Sequence, residues 1–319
     1  MALFMLPYVF GMAPLDARLS GKGDEMKLMR RLTAVVVASA LYAGTAVAGP
    51  VILGGDDLTD HGFRSSGMNM EGWLYIEKAI SGLIATQTRP GALTVDIVAL
   101  GSAANPTFTT SNAGGAIGSA ADVLGKTVAY YDGNTAINQF FTDLAAGTVN
   151  PGVLWLAGTG AANDLDTSEG AALTANAAAI NSFVSSGGGL MAHGSGTTAY
   201  GWLSALLPGL VETSGCTSSG ATLTAAGQAA FPGLSNSDID ANAGPCHSHF
   251  TGNFGGLVAL ALDGQQRPYI IGGGPNTVIQ CGQPGQPACP QQVPEPPVLP
   301  LLGIAFAAAF ATSRRWNRR

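Results

Sequence analysis

Three short stretches of this sequence concentrate the side chains able to bind or react. The first, Asp56-Asp57-Leu58-Thr59-Asp60-His61-Gly62, sets three carboxylates and an imidazole within six residues. Hard oxygen donors at that density suit a divalent cation or the hydroxyls of a sugar, and an Asp/His combination suits acid–base hydrolysis. The same acids also suit turn and capping roles before a helix. The second stretch is His193-Gly194-Ser195-Gly196. Ser195 lacks the Gly-x-Ser-x-Gly setting of a hydrolase nucleophile, because His193 and Thr197 stand where glycines are required. His193 is expected to face His61 across neighbouring strand ends, which would join Asp56, Asp57, Asp60, His61, His193 and Ser195 in one polar cleft. The third is Cys246-His247-Ser248-His249, where imidazoles two residues apart on an extended segment share a side and suit Zn²⁺ or Cu²⁺. A solvated loop is the alternative reading of His247 and His249. Asp164, Asp166 and Glu169 fit the start of a helix, where acids meet the positive end of its dipole. Gly158-Thr159-Gly160 and Gly272-Gly273-Gly274 are not phosphate loops, since no lysine follows and neither opens a helix with the required glycine spacing.

The elements that must carry these groups alternate. Val51-Ile52-Leu53, the run 93–100, the run 127–131, Val153 to Ala157 and Leu190 to His193 read as short buried strands. Between them, Trp73, Ile76, Ile80, Leu83 and Ile84 recur at helical spacing, as do Ile137, Phe140, Phe141 and Leu144, with Asn134 or Thr135 as cap. Leu173, Ala177, Ile180 and Val184 predict one more helix, ending at Gly187-Gly188-Gly189, and 200–207 a shorter one. The stretch 102–119, rich in Gly, Ser, Thr and Asn, reads as an exposed, glycan-facing flap. The segments 256–262 and 267–271 flank Asp263-Gly264-Gln265-Gln266 as a β-hairpin added at one edge. A βα repeat favours one parallel sheet with helices on both faces, and ligands then collect beyond the C-terminal strand ends.

The stretch Ala179-Ile180-Asn181-Ser182-Phe183-Val184-Ser185-Ser186-Gly187-Gly188-Gly189-Leu190-Met191-Ala192-His193-Gly194 resembles the class I glutamine amidotransferase-like fold and its trehalose-utilisation-type relatives. Element order extends the resemblance over roughly 49–275. It implies an α/β, flavodoxin-like or amidotransferase-like sheet whose nucleophile elbow follows the strand at 190–193. The family's catalytic cysteine would fall at Ala192, or at His193 with a one-residue slip, and neither is a thiol. Amidotransferase chemistry is therefore not expected.

Charge and the chain ends bear on location. Between Gly49 and Pro296 only Arg64, Lys78, Arg89, Lys126 and Arg267 oppose seventeen acids, a net charge of 5 − 17 = −12. Such a surface repels phosphate backbones and anionic headgroups, which excludes nucleic acid as a partner. Met26-Lys27-Leu28-Met29-Arg30-Arg31, an apolar run to Ala43 and Ala46-Val47-Ala48 form the three parts of a secretory signal peptide over 26–48, leaving 1–25 as an over-extended start. A Pro/Gln/Gly-rich linker (281–292) leads to Pro294-Glu295-Pro296, an apolar run over 298–311 and a basic end with Arg314 and Arg315. At ~1.5 Å per residue that run reaches about 21 Å as a helix, short of a ~30 Å hydrocarbon layer without help from flanking arginines. The region 293–319 resembles a PEP-CTERM sorting signal, which implies an exosortase-type membrane enzyme as partner, transient anchoring in the inner membrane and delivery to the cell surface. Four cysteines suit the oxidising compartment. They allow three pairings, of which neighbour pairing, Cys216 with Cys246 and Cys281 with Cys289, is the expected one.

These readings make the domain over 49–280 an exported, non-catalytic protein of the cell surface or extracellular matrix, with an extracellular polysaccharide as ligand. The competing expectation is an extracytoplasmic hydrolase that uses Asp56, Asp57, His61 and His193. No cofactor is expected beyond a divalent cation held by the aspartates.

Overall fold

The computed structural model describes residues 49–160, 164–217, 219–240 and 244–273. The expected signal peptide, the linker with Cys281 and Cys289, and the tail with Pro294, Glu295, Pro296, Arg314 and Arg315 lie outside the described residues. Among the described residues, no helix is long and apolar enough to cross a membrane.

The chain enters on β1 (Val51–Gly54) and turns through a small hairpin, β2 (Gly62–Ser65) and β3 (Met68–Glu71), into α1 (Gly72–Thr86). It continues as β4 (Val95–Leu100), α2 (Ala113–Leu124), β5 (Val128–Tyr131), α3 (Asn134–Ala146) and β6 (Pro151–Leu156). Then come α4 (Thr167–Ala175), α5 (Ala177–Ser185), β7 (Gly189–Ala192), α6 (Gly196–Tyr200) and α7 (Leu203–Leu206). The final part holds β8 (Leu210–Ser214), β9 (Thr222–Leu223), α8 (Ala225–Ala230), α9 (Asn236–Ile239), β10 (Ser248–Gly252), β11 (Val258–Leu262) and β12 (Pro268–Gly273).

One eight-stranded sheet runs in the order β5-β4-β6-β7-β1-β12-β11-β9. Neighbours from β5 to β1 pair in parallel, and the last three junctions are antiparallel. The sheet is therefore mixed rather than purely parallel. The expected β11–β12 hairpin extends it beyond β1, and β9 covers the hairpin in turn. Strand β6 is buried along its whole length, as a continuous apolar run between two parallel neighbours must be. Trp73, Trp155, Trp202, Tyr75, Tyr269 and Phe140 are among the largest fully buried side chains of the core, and burial of apolar surface at roughly 25 cal/mol per Å² is what holds it together.

Three local expectations are corrected. The segment read as a flap contains α2, whose glycines cost about 1 kcal/mol each in helix propensity. Packing overrides that cost: Gly115 lies so close to the Trp73 ring that a Cβ would come within 2.9 Å of it, and the Asn112 side chain caps the helix by accepting from the Gly115 N–H at 2.8 Å. The stripe from Leu173 to Val184 is two helices, broken at Asn176, whose amide donates back to the Ala172 carbonyl and so competes with the helical ladder. Helix α3 starts at Asn134 with Gly133 as its N-cap, so neither Asn134 nor Thr135 caps it. Asp166 and Glu169 do form the capping box of α4.

Candidate functional site

Strand register decides which side chains meet. Leu53 of β1 pairs with Ala192 of β7, so the residues leaving the two strands come together just beyond the sheet. The Gly194 N–H donates to the Asp56 carbonyl at 2.8 Å. His193 Nδ1 and Asp56 Oδ1 lie 2.9 Å apart, with both side chains fully buried. On the other side of the ring, the Trp155 indole N–H donates to His193 Nε2 at 3.2 Å. An indole can only donate, so Nε2 accepts, and the ring proton sits on Nδ1 and is given to Asp56. Asp56 Oδ1 also accepts the Leu58 N–H at 3.1 Å, whereas Oδ2 is buried with no hydrogen-bond partner among the described residues. This Trp155–His193–Asp56 chain lies inside the protein.

The expected cleft joining His193 to His61 is therefore not formed. The carboxylates of Asp56 and Asp57, adjacent in sequence, point to opposite surroundings. Ser195 is half-buried at the start of α6, and its side chain makes no capping bond. Nor do Ala192 and His193 adopt a strained elbow. Among the described residues the left-handed non-glycine positions are Ser66, Glu71, Phe108, Asp164 and Gln266, and the turn after β7 is made by Gly194 at φ 100°.

Asp57 faces outward into a second cluster. Its Oδ2 lies 2.5 Å from His247 Nε2 and its Oδ1 3.4 Å from His61 Nε2, which in turn lies 3.8 Å from Asp60 Oδ1. One potential ligand atom from each of Asp57, Asp60 and His61 falls within 4.8 Å of the others, the spacing of donors around a single cation. Burial alone would raise the Asp57 carboxyl, but hydrogen bonds from His247 and His61 outweigh it and hold the carboxyl below the usual range. The hydrogen bond to Asp57 raises His61 against the opposing effect of burial, with added attraction from the charges of Asp57, Asp60 and Asp56. His247, half exposed at the rim, is raised by the same carboxylate.

The loop that carries Asp57, Asp60 and His61 is tied down at both ends. Leu58 is fully buried, the Trp73 indole donates to the Thr59 carbonyl at 2.8 Å, and the Gly72 N–H donates to the His61 carbonyl at 3.0 Å. Across from it, the segment leading into β10 lies alongside Gly55 to Asp57. The Asp57 N–H donates to the Pro245 carbonyl at 2.9 Å, and the Gly55 carbonyl accepts from both His247 (2.7 Å) and Ser248 (3.0 Å). Only glycine allows this approach, since a Cβ on Gly55 would come within 2.1 Å of the Ser248 carbonyl oxygen. Cys246, next to His247, is joined to Cys216 by the expected disulfide, with Cα atoms 5.9 Å apart.

Two consecutive N–H groups on one carbonyl break the two-residue alternation of an extended strand, as a bulge does. His247 therefore reaches Asp57, while His249 is buried and its Nδ1 bonds the Gly215 carbonyl at 2.7 Å. The two imidazoles do not act as a ligand pair. Trp155 and the pairing of His247 with Asp57 were not legible beforehand: an indole in an apolar strand reads as core, and a contact across 190 positions leaves no local pattern.

No protein-family model matches this chain, and no curated protein or solved structure matches it. The functional reading accordingly rests on the site.

Proposed function

We propose that this is an exported protein of the cell envelope or extracellular matrix whose amidotransferase-like domain binds rather than cleaves, holding a divalent cation through Asp57, Asp60 and His61. The signal peptide over 26–48 directs export, and an exosortase-type enzyme sorts the chain through the PEP-CTERM-like tail over 293–319. The Cys216–Cys246 disulfide agrees with an oxidising destination. The succession β4-α2-β5-α3-β6 and the helix–strand–turn ending at His193 support the fold comparison, and the absence of a thiol at Ala192 and His193 supports a non-catalytic role.

One observation carries the binding reading. Of the residues a hydrolase would use, His193 and Asp56 are hydrogen-bonded to each other inside the core while Trp155 closes the remaining ring nitrogen. Asp57, Asp60 and His61 instead gather partly buried ligand atoms beyond the strand end. Two carboxylates and an imidazole form a mixed oxygen–nitrogen donor set, which suits Zn²⁺ or Mn²⁺ better than Ca²⁺.

Isothermal titration of EDTA-treated protein with Zn²⁺, Mn²⁺ and Ca²⁺ tests this. One ion per chain is expected, with Asp57→Asn weakening it at least tenfold. Equal affinity in wild type and variant would reject the site. Mass spectrometry of the mature protein tests export independently: a chain retaining Met1 and Arg319 would reject it.

A further inference from the structure

A separate concavity of about 260 Å³ lies along β5, the edge strand of the sheet, where Pro106, Phe108, Asp122, Lys126, Val128 and Tyr130 are among its lining residues. Two aromatic rings converge there over a residue with no side chain. A Cβ on Gly118 would come within 2.8 Å of the Tyr130 hydroxyl and 2.9 Å of the Phe108 ring, so glycine at this helical position lets both side chains lie against the helix and form the floor of the groove. Phe108 holds φ 52°, a conformation rare for a bulky side chain. The Arg64 guanidinium, 5.1 Å from the ring centroid, braces the ring and is itself fixed at 2.7 Å by Asp122. Burial pushes Tyr130 up to about 12, so its hydroxyl remains a neutral donor and acceptor at any physiological pH.

The polar rim is rich in hydrogen-bonding groups yet locally neutral. Asp122 pairs with Arg64, and Lys126 lies 3.4 Å from Asp96. The surrounding domain, with five bases against seventeen acids between Gly49 and Pro296, disfavours anionic ligands. A concave site lined by two aromatic side chains and a few paired polar groups selects a compact, uncharged molecule that has both an apolar face and hydroxyls. A pyranose has both: its C–H face lies on an aromatic ring, and its equatorial hydroxyls reach a charged rim.

From this geometry we infer that the Phe108–Tyr130 groove binds one unit of a neutral saccharide. The site is distinct from the cation cluster and stands or falls without it. The test is binding of the purified mature protein to immobilised neutral oligomers of glucose, mannose, galactose and N-acetylglucosamine, with uronic-acid oligomers and a peptide panel alongside. At least one neutral glycan is expected to bind. Gly118→Leu, which displaces Phe108 and Tyr130 from the helix, should weaken it at least tenfold, Tyr130→Phe severalfold, and Asp57→Asn not at all. Phe108→Ala serves as a second groove variant if Gly118→Leu is misfolded by circular dichroism, and is also expected to lose at least tenfold. The inference is overturned if no neutral glycan binds, if acidic glycans or peptides bind in preference, or if the correctly folded groove variants retain wild-type affinity.

Discussion

Replacing His193 with phenylalanine examines the buried chain that removes this histidine from the surface site. The phenyl ring keeps a planar ring in place, somewhat larger than the imidazole, but withdraws both hydrogen bonds. The Trp155 N–H, fully buried, then has no acceptor, which costs about 1–3 kcal/mol. The Asp56 carboxyl, whose Oδ2 is already without a partner, loses its ring partner and keeps only the Leu58 N–H. Because the imidazole is neutral, the loss at Asp56 is that of one buried hydrogen bond, about 1–3 kcal/mol and more where the acceptor is charged. A loss of about 2–6 kcal/mol is therefore expected, a large part of the roughly 5–15 kcal/mol that holds a domain together. Adding Asp56→Asn removes the stranded acid while leaving an acceptor for Leu58, and should recover about 1–3 kcal/mol. Urea unfolding followed by tryptophan fluorescence and circular dichroism measures His193→Phe, Asp56→Asn alone and the double variant, with an unchanged slope showing that the transition stays comparable. A cost below about 1 kcal/mol for the single variant, or strict additivity in the cycle, would refute the hydrogen-bonded chain.

Other consequences follow from the outer cluster. The Asp57 carboxyl is lowered from its ordinary 3.8, so its contribution is present above that value and is lost as pH falls through the still lower folded value. His61 and His247 are raised from 6.5, so their contribution is complete below 6.5 and is lost as pH rises through the raised folded values. Melting temperature of metal-free protein should therefore decline at both ends of this window, and His247→Gln should flatten the upper limb; an unchanged upper limb would show that His247 does not pair with Asp57. Cys216 and Cys246 are 30 positions apart, and a loop of that size is worth about 3.5 kcal/mol of chain entropy. Cys216→Ser/Cys246→Ser should lose about that much in urea unfolding and weaken Zn²⁺ binding severalfold, because the segment that sets His247 beside Asp57 is no longer pinned. Undiminished binding in a folded double variant would separate the disulfide from the site.

Legibility in the sequence followed the range of each interaction. The parallel strands and the helices that open with Trp73 and Ile137 could be read from apolar period, because a buried strand or an amphipathic face repeats its demand every few residues. The acids around Asp57 stood out for the same reason, as did the hairpin around Asp263-Gly264. Helix α2 was hidden, since its Ala, Gly and Ser residues carry little apolar signal and it gains its place by close approach to Trp73. The break at Asn176 came from a single side chain competing with the backbone. No local rule could show that Asp56 turns inward to His193 while Asp57 turns outward to His61 and His247. That division depends on the β1–β7 register, on Gly55 admitting another segment and on the disulfide beside His247. The sequence by itself determined the strands, the principal helices and the presence of reactive groups, because these depend on near neighbours. Tertiary structure alone decided which groups are spent within the core and which remain at the surface, because that depends on residues more than a hundred positions apart meeting at the end of one sheet.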